Sequence, residues 1–128
     1  MAKRILSIVE TAYRATLEEQ DDTVLWLAHA MRDAGAELTV LLRGNAVAYA
    51  ARGQDASGLA IGDRPQRSQP RIDVDLETLA AKGVPVLAVE EDLAERGVER
   101  SELVRGVELV ARASLARLAA AHDQVWHW

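Results

Sequence analysis

Short apolar runs alternate with longer stretches of helical period along the whole chain. Ile5 to Val9 is apolar and β-branched, the pattern of a buried strand. From about Leu17 to Ala34, the apolar residues Val24, Leu27, Ala28, Met31 and Ala34 follow i, i+3, i+4, i+7 spacing. That spacing predicts a helix with one buried stripe, and Gly35 ends it as a C′ residue. Leu38 to Leu42 predicts a second strand. Asn45 stands where it would cap a short Ala-rich helix running to about Arg52, with Gly53 as its stop. Between Gln54 and about Ile72 no period holds, and Gly58, Gly62, Pro65 and Pro70 interrupt the chain. A solvated, flexible loop is expected over about 54–72.

Order resumes with a helix from about Asp75 to Lys82, stopped by Gly83, and a strand from Val86 to Val89. A short acidic helical turn to Gly97 and a turn around Ser101 to Val104 lead to a strand from Val107 to Val110. Ser114 would cap a last helix, with Leu115, Leu118 and Ala119 on its inner face, ending near Ala121. A closing strand holds Val125 and Trp126. Five strands separated by helices favour parallel pairing with helices on both faces. The expectation is one domain over residues 1–128: a three-layer α/β/α fold with a five-stranded, mainly parallel sheet. The length of 128 residues and the 49% apolar content suit a single core.

Composition removes several kinds of chemistry. The chain has no cysteine. Disulfides, thiolate metal sites, iron–sulfur clusters and thiol nucleophiles are therefore excluded. A net charge of −5 disfavours direct nucleic-acid binding. No apolar run approaches the about 20 residues of a membrane helix, and Ile5 to Val9 is too short for a signal peptide. A cytoplasmic protein without membrane contact is expected. Arg64, Arg67 and Arg71 make the long loop locally basic, the makings of an anion- or RNA-contacting lid or of a solvated insertion.

Ligands of parallel sheets bind outside the strands' carboxyl ends. Those ends carry Glu10 and Thr11, Arg43-Gly44-Asn45, Glu90-Glu91-Asp92, and Ala111 with Arg112. Glu10, Glu90, Glu91 and Asp92 form a candidate carboxylate group for acid–base work or a divalent cation. Against this, Asp92 and Glu95 have the spacing of a capping box. Gly44 and Asn45 offer amides to an anion, as helix N-termini do, although no dinucleotide or P-loop glycine pattern is present. His29, His122 and His127 lack metal-site spacing, so neither metal nor cofactor is expected. Serines 7, 57, 68, 101 and 114 lack a nucleophile elbow. Trp126 and Trp128 fall on one face of the last strand and are candidate interface residues.

The segment Val86 to Gly97, V-L-A-V-E-E-D-L-A-E-R-G, resembles the DsrE/DsrF/DsrH (TusBCD) superfamily of sulfur-relay proteins. From there through Gly106-Val107-Glu108-Leu109-Val110, Leu115, Leu118, His122 and the terminal tryptophan, the chain is most similar to the DsrH/TusB branch. The N-terminal half, with Gly44-Asn45-Ala46-Val47 after its second strand, looks more like DsrE/TusD. The resemblance implies a flavodoxin-like, DsrEFH-like fold and assembly as a homo-oligomer, or as a hetero-oligomer with DsrE/DsrF-like subunits. It also implies a role in relaying persulfide sulfur, for sulfur oxidation or tRNA 2-thiolation. In that family the sulfur is carried by a cysteine whose position falls here at about Val89 or Glu90. Neither side chain can form a persulfide. The resemblance thus implies a non-catalytic scaffold subunit. A carboxylate-based or metal-assisted enzyme and a small-anion or nucleotide module are the alternatives left by the residues themselves.

Overall fold

The computed structural model describes residues 2–12, 22–55, 58, 60–65 and 70–128. Five parallel strands form the main sheet: β1 (Arg4–Val9), β2 (Glu37–Leu42), β5 (Val86–Val89), β6 (Val107–Val110) and β7 (Gln124–His127). Their spatial order is β6-β5-β2-β1-β7. Within the sheet, β1, β2, β5 and β6 are laid down in one direction, and only β7 returns to the other side of β1.

Strand alternation divides the core into two. Ile5, Val9, Leu38, Val40, Leu42, Val86 and Ala88 face the helices α1 (Thr23–Asp33), α2 (Ile72–Ala81) and α3 (Glu90–Glu95) and a 3-10 helix over Gly44–Ala50. Leu6, Leu41, Leu87 and Val89 face the other way, where α4 (Leu115–Ala120) covers them with Leu115, Leu118 and Ala119. The three-layer parallel architecture expected from the pattern is present.

Glycine ends three of the helices as the pattern predicts. After α1, Gly35 adopts φ 94° and its amide reaches Arg32, while the Ala36 amide reaches Met31. Gly83 after α2 and Gly97 after α3 repeat this paired Schellman arrangement, in which a left-handed residue lets two amides close the last turn.

Helix starts differ more from expectation. Asp22, fully buried, caps α1 by accepting from the amides of Val24 (3.0 Å) and Leu25 (3.1 Å). The helix therefore begins at Thr23, and the predicted stretch from Leu17 to residue 21 lies outside the described residues. Asp22 also accepts the Tyr49 hydroxyl at 2.6 Å, which ties α1 to the 3-10 helix.

Asn45 is not a cap. Arg43 holds that position without a side-chain bond, and the short helix winds as 3-10. With three residues per turn, Ala46 and Tyr49 share a face with Val47 and Ala50, and all four are buried. Gln54 closes this helix's end by donating to the carbonyls of Ala48, Tyr49 and Ala51. Ser114 is likewise no side-chain cap; its hydroxyl donates back to the Ala111 carbonyl at 2.7 Å. Nor do Asp92 and Glu95 make a capping box. That motif is formed instead by Glu99 and Glu102 around the 3-10 turn Arg100–Glu102.

The long segment from Gln54 is described at residues 54, 55, 58, 60–65 and 70–72. It contains the hairpin β3 (Ala60–Ile61) and β4 (Arg64–Pro65), and α2 starts at Ile72 rather than near Asp75. The start is set by Asp73, whose carboxylate accepts from the Gly53 and Gln54 amides and from Arg71. At the opposite end of the sheet, Gly106 (φ 88°) lies so close to α2 that an added Cβ would stand 2.6 Å from the Ala80 Cβ.

Asp22→Ala should lower unfolding free energy by about 2–4 kcal/mol, since it removes a cap and leaves the buried Tyr49 hydroxyl without its acceptor. Urea denaturation would measure it, with Tyr49→Phe expected to cost about 1 kcal/mol by loss of one hydrogen bond.

Candidate functional site

The carboxyl ends of β1, β2, β5, β6 and β7 carry a linked set of charged groups. At its centre is Asp92 on α3, 7% exposed. One carboxylate oxygen accepts the Gly44 amide at 2.7 Å, and the other takes the Arg112 guanidinium. Arg112 reaches on to Glu95 at 2.9 Å, and its own amide donates to both oxygens of Glu91 at 2.9 and 3.0 Å. Arg96 donates to Asn45 Oδ1 through two nitrogens, at 3.1 and 2.9 Å, and to the Asp92 carbonyl at 3.1 Å. The loop after β2, the start of α3 and the loop after β6 are thereby joined.

Burial pushes the Asp92 carboxyl up, but the Gly44 amide and the Arg112 guanidinium outweigh it and hold the pKa below the ordinary value. The Arg112 amide likewise holds Glu91 below its ordinary value. Arg112 is raised by its bonds to Asp92 and then Glu95, so it stays charged at any working pH.

Glu10 belongs to a second set nearer β1 and β7. It bonds to His127 and lies 3.9 Å from Arg43 Nε. Gly44 sits beneath it: φ is +56°, and a Cβ there would meet Glu10 Cγ at 3.2 Å. Both features demand glycine. Glu90 turns away to Arg100 at 3.3 Å. Of the four carboxylates singled out from sequence, Glu91 and Asp92 thus share Arg112, whereas Glu10 bonds to His127 and Glu90 to Arg100. Among the described residues no group of three or more histidines and carboxylates could hold a metal ion. The Gly44 amide, the expected anion donor, is already taken by Asp92.

Val89 is fully buried against the α4 layer. Trp126 packs on the larger core, while Trp128 is 36% exposed. Their rings meet edge to face at 6.4 Å, and the Trp128 indole donates to buried Ser7 at 3.1 Å. Trp128 is firmly held, since its carbonyl also accepts from the Glu10 and Thr11 amides.

His29 and His122 serve the fold, bonding to the Asp75 carbonyl and to the Leu118 carbonyl and Thr39 hydroxyl. Arg71 is paired with Asp55 and Asp73, Arg64 is exposed, and Arg67, Ser57 and Ser68 lie outside the described residues. Sequence reasoning placed Arg112 at a strand's carboxyl end but assigned no role to it or to Arg96, the organising cations. Arg96 was nonetheless visible in the R-G pair, whose glycine ends α3 while its arginine reaches the β2 loop.

Both depressed carboxylates favour the folded state fully above the unfolded values of about 3.9 and 4.3. The contribution is lost as pH falls through the lower folded values. Asp92→Asn should cost about 1–3 kcal/mol at neutral pH by weakening bonds at a buried charge. It should also flatten the loss of stability in acid, as urea unfolding across a pH series would read.

No sequence among curated proteins matches significantly. The YchN protein from E. coli is 27% identical, with all of both chains covered and a TM-score of 0.74. MTH1491 from Methanobacterium thermoautotrophicum, a protein of unknown function, shares the fold at 17% identity, with 98% of this chain and 99% of that one covered and a TM-score of 0.58. The family model described as DsrE/DsrF-like matches residues 7–127, so the chain belongs to the DsrE/DsrF-like family.

Proposed function

We propose that this protein is a non-catalytic subunit of a sulfur-relay assembly, in the manner of DsrH/TusB, contributing interfaces rather than a sulfur carrier. The observation that carries this reading is at Val89 and Glu90, between which the resemblance places the family's cysteine: the Val89 side chain is aliphatic and 0% exposed. The neighbouring Glu90 is exposed, but a carboxylate cannot hold a sulfane sulfur. Around that position Asp92, Arg112, Glu95 and Gly44 bond to one another instead of facing a reaction space.

The alternatives draw less support. A carboxylate-based or metal-assisted enzyme needs free carboxylates, whereas Glu10 is bonded to His127, Glu90 to Arg100, and Glu91 and Asp92 both to Arg112. An anion or nucleotide module needs the Gly44 amide, which Asp92 occupies. Partners are homologous subunits, identical copies or DsrE/DsrF-like chains. No helix among the described residues is long and apolar enough to cross a membrane.

Incubated with a persulfide donor, the purified protein should gain no covalent sulfur by intact-mass spectrometry. A sulfur adduct on the wild-type chain would overturn the reading. Glu90→Cys should take up sulfur, whereas Val89→Cys should not, because its thiol would be buried. Native mass spectrometry with DsrE/DsrF-like subunits should show complexes; no assembly of any kind would remove the scaffold role.

A further inference from the structure

The hairpin of β3 and β4 stands apart from both cores. Each of residues 60–65 is exposed. An isolated two-stranded hairpin is marginal in water and needs a surface to pack on. Gly62, with φ +64°, occupies the first central position of its turn, which suits a type II′ connection. Ile61 and Arg64 are directly opposed across the ribbon. Opposed residues project from the same face, so an apolar side chain and a cation stand together. Ile61 is 62% exposed, and Arg64 has no partner among the described residues.

A surface of matching character lies on the outer side of α1 and α2. One hollow is lined by Trp26, His29, Asp75 and Thr78, and a second, of about 310 Å³, by Val74, Glu77, Thr78 and Ala81. They adjoin at Thr78 and form one trough. Trp26 is 59% exposed and Val74 44%. Glu77 is exposed and has no partner among the described residues. The trough thus offers an apolar floor beside an exposed anion, and the hairpin an apolar knob beside an exposed cation.

We propose that the β3–β4 hairpin of one copy seats in the α1–α2 trough of a second copy, with Ile61 between Trp26 and Val74 and Arg64 paired with Glu77. This rests on the reading of the chain as an assembly subunit and names one of its contacts. Complementary charge then fixes the hairpin's orientation, while the apolar contact supplies most of the affinity.

The test is self-association by sedimentation velocity. Arg64→Glu and Glu77→Arg should each weaken it by about tenfold by replacing attraction with repulsion, and the double variant should restore it. Ile61→Asp should weaken it about tenfold or more by removing the anchor. All sites are exposed, and circular dichroism should be unchanged.

Because the chain has no cysteine, crosslinking gives an independent reading. Ile61→Cys mixed with Thr78→Cys should form an intermolecular disulfide on mild oxidation, whereas Ile61→Cys mixed with Val125→Cys should not. Unaltered association in the charge variants, failure of the double variant to restore it, a monomeric wild type, or a disulfide within a single Ile61→Cys/Thr78→Cys chain would overturn the proposal. In each case complexes with DsrE/DsrF-like subunits would leave the scaffold reading standing; sulfur uptake by the wild type would overturn that reading alone.

Discussion

Strand order is the constraint on which the rest depends. Because β1, β2, β5 and β6 advance in one direction, their connections supply α1, α2, α3 and the 3-10 helix to one face of the sheet. Among the described residues the opposite face is left to α4, six residues long and nowhere fully buried. The two layers are accordingly unequal. The first is a closed core with Tyr49, Leu76 and Leu79 wholly out of solvent. The second keeps Ile8, Val110, Leu115 and Leu118 only half covered. The return of β7 to the side of β1 also brings His127 beside Glu10 and Trp128 beside Ser7. Residues from opposite ends of the sequence therefore share one rim of the sheet.

That rim is held by charge in place of apolar packing. Loops after parallel strands expose amides and carbonyls that helices or ligands must satisfy. Here side chains do it from within. Asp92 serves the β2 loop, Glu91 serves the β6 loop, and Arg96 spans from α3 to Asn45. The E-E-D-L-A-E-R-G segment is thus a set of bridges from one short helix to its two neighbouring loops. Its constraint on residue identity comes from hydrogen-bond geometry, which is compatible with a family motif surviving without the family's cysteine.

Much of the fold was legible because it is locally determined. Apolar runs mark the strands, and Gly35, Gly83 and Gly97 mark helix ends, since only glycine takes the left-handed turn without cost. What was missed depends on distant partners. Asp22 fell inside the helix expected from Leu17, and nothing local marks it as that helix's cap or as the acceptor of the Tyr49 hydroxyl. The start of α2 carries no polar cap at Arg71, so nothing nearby announces it. The hairpin's strands are too short for a period, although Ile61-Gly62-Asp63-Arg64 contains the Gly-Asp pair of a tight turn. At the site, Asp92 and Gly44 were singled out separately. Their bond, and the role of Arg112, join segments whose proximity only the sheet order creates.

The bond from Gly44 to Asp92 has a further consequence. A carboxylate attached to the scaffold acts as an intramolecular ligand, and tethering gives such a group an effective concentration far above that of a dilute solute. Any free anion approaching the β2 loop has to displace a competitor that never diffuses away. Displacing it would also strand the Arg112 charge and loosen the junction of three loops. The protein therefore meets the Gly44 amide's demand for an anion with a residue of its own, from the moment the chain folds.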